Sequence, residues 1–212
     1  MKDYQKLFLE LALKSKSLQF GEFILKSGRT SPYFFNAASM LSACSIYDLA
    51  RCYVDAIKDK DLDFDCIYGP AYKGIFLGSI VATLFSEQGN NYPLSFNRKE
   101  EKDHGEGGNI IGAKPTGNVL IIDDVLSAGT AGRESIETIL NLGATPNCFI
   151  VGLDRQEKGL SNMPSSKELE KEFNIRVESI VNLESLISYV KDNSEYQNHL
   201  EALNNYRKNW GA

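Results

Sequence analysis

The stretch VLIIDDVLSAGTA, Val119 to Ala131, followed at once by GRESIETIL, decides how this chain folds. Val119 to Ile122 form an apolar run without polar interruption, the pattern of a strand covered on both faces. The run ends in Asp123 and Asp124, which places two carboxylates at the carboxyl edge of that strand, where open α/β sheets bind ligands. Val125 and Leu126 lead into Ser127, Ala128, Gly129, Thr130 and Ala131. These five are small, so backbone N–H groups can approach an anion closely, and two hydroxyls add donors. The helix pattern from Arg133 to Leu142 then turns its positive N-terminal end toward the same place. Ionised aspartates accept hydrogen bonds from hydroxyls, so the acids, the loop and the helix would together hold a phosphate beside a polyol. A phosphorylated sugar has that shape. A plain strand, turn and helix with two exposed acids is the competing reading, and the conjunction of all three features weighs against it.

Outward from this segment, short apolar runs alternate with helical patterns, the sign of a mostly parallel sheet flanked by helices and hence of an α/β fold. Strands are expected at Cys66 to Tyr68, Pro93 to Phe96, Val119 to Ile122, Cys148 to Leu153 and Ile175 to Val181. Helices are expected from Ile46 to about Lys58, from Ile75 to Glu87, and from Arg133 to Leu142, the last closed by Gly143. Tyr4, Leu7, Phe8, Leu11 and Ala12 draw one face of an opening helix. Near the other end, NLESLISYVKD reads as a short helix, and Tyr196, Leu200, Leu203 and Tyr206 line a final one. The stretch FGEFILKSGRTSPYFFN, rich in aromatics and broken by Gly28 and Pro32, reads as short strands joined by turns. Two stretches poor in apolar residues, Lys99 to Gly108 and Gln156 to Lys171, read as long polar loops of the kind that serve as lids.

A length of 212 residues suits one folding unit with a substantial core. Hydrophobic residues make up 42% and charged residues 24%, an ordinary globular balance. No apolar run approaches the roughly 20 residues that cross a bilayer, and the first residues lack a signal-peptide pattern, so a cytoplasmic address is expected. Cys44, Cys52, Cys66 and Cys148 are scattered without a paired spacing, and are expected to be reduced structural thiols. The formal net charge of −5 argues against a nucleic-acid binder. Any positive charge that meets an anionic ligand must therefore be gathered locally.

Three further segments can do that. GPAYKG, Gly69 to Gly74, lies between a strand and a helix, so its N–H groups and Lys73 can face a second anion at the same sheet edge, although Lys73 reads equally well as a solvated surface lysine. Arg98, Lys99, Lys102 and His104 run into Gly105, Gly107 and Gly108, joining cations to flexible backbone; Glu100, Glu101, Asp103 and Glu106 dilute the charge and leave a plain solvated lid as an equal reading. Arg155 stands just past the strand ending at Leu153, and arginine recognises carboxylate through two parallel hydrogen bonds.

With these residues in view, Val119 to Ala131 resembles the phosphoribosyl diphosphate motif of type I phosphoribosyltransferases. FGEFILKSGRTSPYFFN, GPAYKG, FNRKEEKDHGEGG and LDRQEKG resemble segments of the bacterial orotate enzymes within that family, in the same order and approximate spacing, so that the resemblance covers nearly the whole chain. It implies a single domain over residues 1–212, with a small hood of short strands from about 18 to 36 joined by the C-terminal segment, and a mobile catalytic loop at about 98–108. It implies that Asp123 and Asp124 meet the ribose hydroxyls and that Val125 to Ala131 hold the 5-phosphate. Tyr72, Lys73, Arg98 and Lys99 would meet the diphosphate, with a non-proline cis peptide expected at Ala71–Tyr72. Phe34 and Phe35 match a backbone pair at the pyrimidine edge, though a plain reading makes both rings core. Lys26 matches a residue at the same pocket, Arg155 the arginine that takes the orotate carboxylate, and Ser127 lies close to both substrates. Lys102, helped by His104, would stabilise or protonate the leaving diphosphate, and Asp124 would complete the catalytic set.

The implied reaction is a pentosyl transfer to N1 of orotate on the route to UMP. Magnesium would be held mainly through the substrate diphosphate and ribose rather than by direct protein ligands, and the active sites would be shared across a homodimer. One departure is Ser127, where threonine is common in that family; a hydroxyl is retained. Two other readings stay open at this point: a phosphoribosyltransferase for another base, and a non-catalytic regulator that senses phosphoribosyl diphosphate.

Overall fold

A computed structural model describes residues 1–25, 28–43, 45–99 and 109–211. In chain order its elements are α1 (Asp3–Lys14), β1 (Leu18–Ile24), β2 (Thr30–Phe35), α2 (Met40–Ala43), α3 (Ile46–Asp59), β3 (Cys66–Gly69), α4 (Lys73–Glu87), β4 (Leu94–Asn97), β5 (Ile110–Gly112), β6 (Asn118–Leu126), α5 (Thr130–Asn141), β7 (Thr145–Asp154), α6 (Ser165–Phe173), β8 (Arg176–Asn182), α7 (Leu183–Asp192) and α8 (Leu200–Trp210). Six strands form one sheet in the order β5-β4-β3-β6-β7-β8, parallel except for β5, which runs antiparallel to β4. The remaining pair, β1 and β2, makes a separate antiparallel hairpin, the expected hood.

The apolar run that suggested a doubly covered strand behaves that way. Leu120 and Ile122 join a core built with α1, α3, α4 and the C-terminal helices, while Val119 and Ile121 pack on the opposite face with α5 and α6. Alternation along β6 thus divides one strand between two cores. Each fully buried Leu or Ile contributes about 1.5–3 kcal/mol over exposure, so β6 holds the two layers of helices to the sheet. Local signals set the flanking helices: the Ser45 side chain accepts from Asp48 N at 3.2 Å to start α3, and Asn182 Oδ1 accepts from Ser185 N at 2.8 Å to start α7. Gly143, just past α5, takes the left-handed φ of 80° expected of it.

The chain departs from the sequence reading in three places. β6 does not end at Ile122: its ladder with β7 continues through Asp123↔Val151, Val125↔Leu153 and Leu126↔Asp154, so the acid pair lies inside the strand. The stretch Gln156 to Lys171 is not one long loop, because α6 begins at Ser165. Its apolar signal is nearly confined to Leu169, which is fully buried, and it is steadied by the Glu168 carboxylate, which accepts from Leu160 N at 2.9 Å and Ser161 N at 2.5 Å. The short edge strand β5 was also unforeseen, since only three residues carry it. Cys52, Cys66 and Cys148 are buried free thiols, as expected, and Cys44 falls outside the described residues. No described helix is long and apolar enough to cross a membrane.

Close packing at the start of α4 explains both glycines of GPAYKG. A Cβ on Gly69 would lie 2.2 Å from Gly74 O, and one on Gly74 would lie 2.5 Å from Pro70 Cδ and 2.7 Å from Ile122 O. Gly74→Ala is therefore expected to destabilise the fold by about 1–3 kcal/mol through overpacking. Urea denaturation of the two proteins measures this, and equal midpoints would mean that α4 can slide off β3 at no cost.

Candidate active site

Sheet order locates the site before any side chain is considered. From β3 the chain passes through α4 to β4 on one side, whereas from β6 it passes through α5 to β7 on the other, so the connections diverge between β3 and β6. Ligands of open α/β sheets bind in the crevice at such a switch point. Here the crevice has a visible cause. β3 pairs with β6 only as far as Tyr68↔Ile121, while β7 follows β6 five residues further to Leu126, so Asp123 and Asp124 lie where β6 has lost one neighbour. The Tyr53 hydroxyl, brought by α3, donates to Asp123 O at 3.0 Å and fixes the backbone there.

GPAYKG and the acid pair meet across the gap. Lys73 Nζ lies 2.6 Å from Asp124 Oδ2, with its side chain still 37% exposed. Asp124 is buried, and Asp123 borders a cavity of about 350 Å³ whose opposite wall includes Pro70, Ala71 and Lys99. Desolvation and the neighbouring Asp124 charge push the Asp123 carboxyl up to about 7. The Ala71–Tyr72 peptide is cis, as expected, and Ala71 N donates to Asn97 Oδ1 at 2.7 Å. Tyr72 is 69% exposed, with Lys99 Nζ 4.9 Å over its ring. Arg98 N donates to Asn109 O at 2.7 Å, so the two ends of the charged loop are tied together.

On the other side of the crevice, Ser127 and Ala128 leave β6 and Gly129 takes a φ of 82° to start α5 at Thr130, with Ala131 bordering the cavity. Glycine suits that left-handed turn. Ser127 O accepts a hydrogen bond from the Ser165 hydroxyl, so α6 supports the loop from behind. Val125 packs against the core and Leu126 is buried. Their side chains are structural, and only their backbone is available to a ligand.

Arg155 leaves the sheet beside this loop, its N–H donating to Leu126 O at 2.9 Å. Its side chain is buried and largely committed: Nε donates to Glu157 Oε1 at 2.6 Å, and Nη2 donates to Ser31 Oγ at 2.9 Å and to Tyr206 Oη at 3.0 Å. The guanidinium lies 4.2 Å over the Tyr33 ring. Among the described residues no hydrogen bond involves Nη1, so a carboxylate ligand would meet that end of the fork. Phe35 is core, as its plain reading held, but Phe34 is not: its ring is 38% exposed and stacks on Phe23, because alternate residues of β2 face opposite sides. A second cavity, about 360 Å³, lies between the hood and α8 and is bordered by Ser31 and Tyr206, two of the Arg155 partners. Lys26, Lys102 and His104 lie outside the described residues.

Sequence reasoning missed Ser31, Glu157 and Tyr206. None of the three had a signal in the sequence: Gln156 takes a φ of 51°, so the chain turns between Arg155 and Glu157 rather than running extended. Ser31 and Tyr206 come from the hood and the C-terminal helix, 124 and 51 residues away.

A mostly parallel sheet with paired acids at its switch point, a small-residue loop feeding a helix N-terminus, and the GPAYKG loop opposite define a type I phosphoribosyltransferase. No family model matches the chain. It is similar to orotate phosphoribosyltransferase of Marinobacter nauticus, 51% identical over 212 residues and over the full length of both. The enzyme of the same name from Escherichia coli O139:H28 is 46% identical over 213 residues, again across both chains. Among solved structures, orotate phosphoribosyltransferase of Francisella tularensis superposes with a TM-score of 0.84 at 38% identity, over 97% of this chain and 100% of that one. The chain belongs to the orotate phosphoribosyltransferase family.

Proposed function

We propose that the chain transfers the 5-phosphoribosyl group from phosphoribosyl diphosphate to N1 of orotate, giving orotidine 5′-phosphate and diphosphate. The observation that carries this reading is a buried arginine fixed beside the phosphate loop, whose Nη1 makes no hydrogen bond among the described residues. That is the cation a carboxylate-bearing base requires and a purine does not. As the C1–oxygen bond to diphosphate breaks and the C1–N1 bond forms, positive charge develops on C1 and the ring oxygen. The protein's part is to align two anions and stabilise the leaving one.

In this reading Asp123 and Asp124 accept from the ribose hydroxyls, and the backbone from Val125 to Ala131, with the Ser127 and Thr130 hydroxyls, holds the 5-phosphate. An ammonium has three N–H donors, so Lys73 can keep Asp124 and still reach the diphosphate with Tyr72, Arg98 and Lys99. Lys102 and His104 act on the leaving diphosphate. Phe34 and Phe35 by their backbone, Ser127, and Arg155 by Nη1 hold orotate, and Lys26, at the same pocket, meets phosphoribosyl diphosphate. Magnesium would be held mainly through the substrate diphosphate and ribose rather than by direct protein ligands, and would neutralise diphosphate charge; no cluster of three metal-ligating side chains occurs among the described residues. The enzyme works in the cytoplasm as one domain under a hood, paired in a homodimer that shares its sites.

Mixing the protein with orotate, phosphoribosyl diphosphate and magnesium should consume orotate absorbance and yield the nucleotide. Consumption of a purine base in its place would overturn the reading.

The raised Asp123 group gives a pH prediction with two opposite signs. The ionised carboxylate is the stronger acceptor from the ribose hydroxyls, so affinity for phosphoribosyl diphosphate should rise with pH up to about 7 and then level, by at most about tenfold per pH unit. Stability runs the other way. A carboxyl whose folded pKa is raised stabilises the fold fully below its unfolded value, and that contribution is lost as pH rises toward 7. Asp123→Asn should flatten both profiles, as titration calorimetry and thermal melts from pH 5 to about 8 would show; parallel profiles for the two proteins would clear Asp123 of this role.

A further inference from the structure

Among the described residues Glu157 is one of the least exposed carboxylates, at 2%, and the reaction gives it no chemical step. Its two oxygens serve two different arginines. Oε1 accepts from Arg155 Nε at 2.6 Å and from the Tyr206 hydroxyl, while Oε2 accepts from Arg29 Nη1 at 3.0 Å. Arg29 is itself held, with Nη2 donating to Lys158 O at 3.3 Å and its guanidinium 5.0 Å over the Trp210 ring. Trp210 O in turn accepts from Lys158 N at 3.0 Å. The cluster therefore joins the hood, the segment after β7 and the end of α8 around one carboxylate.

Geometry and charge both matter here. A carboxylate that faced Arg155 alone would engage two of its N–H groups and neutralise it. Arg29 draws away the second oxygen, so two guanidinium cations share one carboxylate and the cluster keeps an excess positive charge. Asp154, buried next along the chain, accepts from Gln156 N at 2.8 Å instead. Glu157, Ser31 and Tyr206 between them occupy Nε and Nη2 of Arg155 and orient its remaining end.

We propose that Glu157, split between Arg155 and Arg29, is a positioning residue that sets base specificity: it aims Nη1 of Arg155 at the substrate carboxylate, and Arg29 prevents it from cancelling the charge that binds that carboxylate. This rests on the reading of Arg155 as the orotate-binding arginine. A purely structural cluster, holding α8 against the hood, would use the same contacts but would affect both substrates alike.

The test is steady-state kinetics on the full-length protein with Glu157→Gln and Arg29→Gln. Glu157→Gln replaces the charge-assisted acceptor for Nε with a neutral amide. Arg29→Gln lets Glu157 turn both oxygens toward Arg155. Each should raise KM for orotate about tenfold, the change expected for one charge-assisted hydrogen bond, with KM for phosphoribosyl diphosphate within about twofold of the parent. Tyr206→Phe, which keeps the ring and removes only the hydroxyl shared by Arg155 and Glu157, should shift KM for orotate in the same direction and serves if the charge variants fail to fold. Equal changes in both KM values, or a lowered melting temperature with KM for orotate unchanged, would overturn the proposal. Arg155→Ala separates the two levels. If it spares orotate binding, the reading of Arg155 itself fails; if it abolishes orotate binding while the Glu157 and Tyr206 variants leave KM for orotate untouched, only the positioning role fails.

Discussion

Replacing Arg155 by alanine is expected to cost about 3–5 kcal/mol in orotate recognition, a loss of roughly 10² to more than 10³-fold in kcat/KM, because a buried substrate carboxylate loses its paired cation. Binding of phosphoribosyl diphosphate should change far less, since the acid pair and the phosphate loop keep their own supports from Tyr53 and Ser165. The variant should also melt earlier than its parent, because Glu157 is buried and would keep only Arg29 and the Tyr206 hydroxyl. Arg155→Lys should not rescue it. A lysine carries one nitrogen on a flexible stem and cannot donate to Glu157, Ser31 and Tyr206 in one plane while leaving a directed end for the ligand. Separate titrations of the two substrates decide the matter: equal losses for both would make Arg155 a general structural residue.

The second large effect is a recovery of activity from two inactive parents. In the proposed homodimer each site combines the body of one subunit with the charged loop of the other. Lys102→Ala damages only the loop and Arg155→Ala only the body. In a mixed dimer one site joins the intact body of the Lys102→Ala subunit to the intact loop of the Arg155→Ala subunit, and its twin carries both defects. Random exchange makes about half of the dimers mixed, so roughly one quarter of all sites should recover, by two-fold symmetry alone. Co-expression with two tags, followed by isolation of the doubly tagged species, verifies that exchange has happened. Mixed dimers as inactive as their parents would show that the loop closes over its own subunit.

Particular residues show how far the sequence by itself determined this protein. The run Val119 to Ile122 is covered on both faces, and that coverage is written in its unbroken apolar character. The small residues Ser127 to Ala131 were read as a loop running into a helix start, and the helix does start there, at Thr130 after Gly129 with its φ of 82°. GPAYKG was likewise placed between a strand and a helix, and it does join β3 to α4. In each case the cause acts within a few residues, through covalent geometry or through burial of a local pattern, so composition and spacing carry it.

What only the tertiary structure decided depends on partners far apart in the chain. Periodicity could not reveal that β6 continues past its acids, because the extension is held by β7 and the opening by the earlier end of β3. Lys73 and Asp124 are 51 residues apart, and nothing near either one distinguishes a solvated charge from a paired one. The same holds for Arg155, whose surroundings are assembled from β2, the segment after β7, and α8. Whether a charge is buried, and which of its donors remain for a ligand, follows from the low dielectric and the competing partners that folding brings around it, and those are properties of the assembled structure rather than of any stretch of sequence.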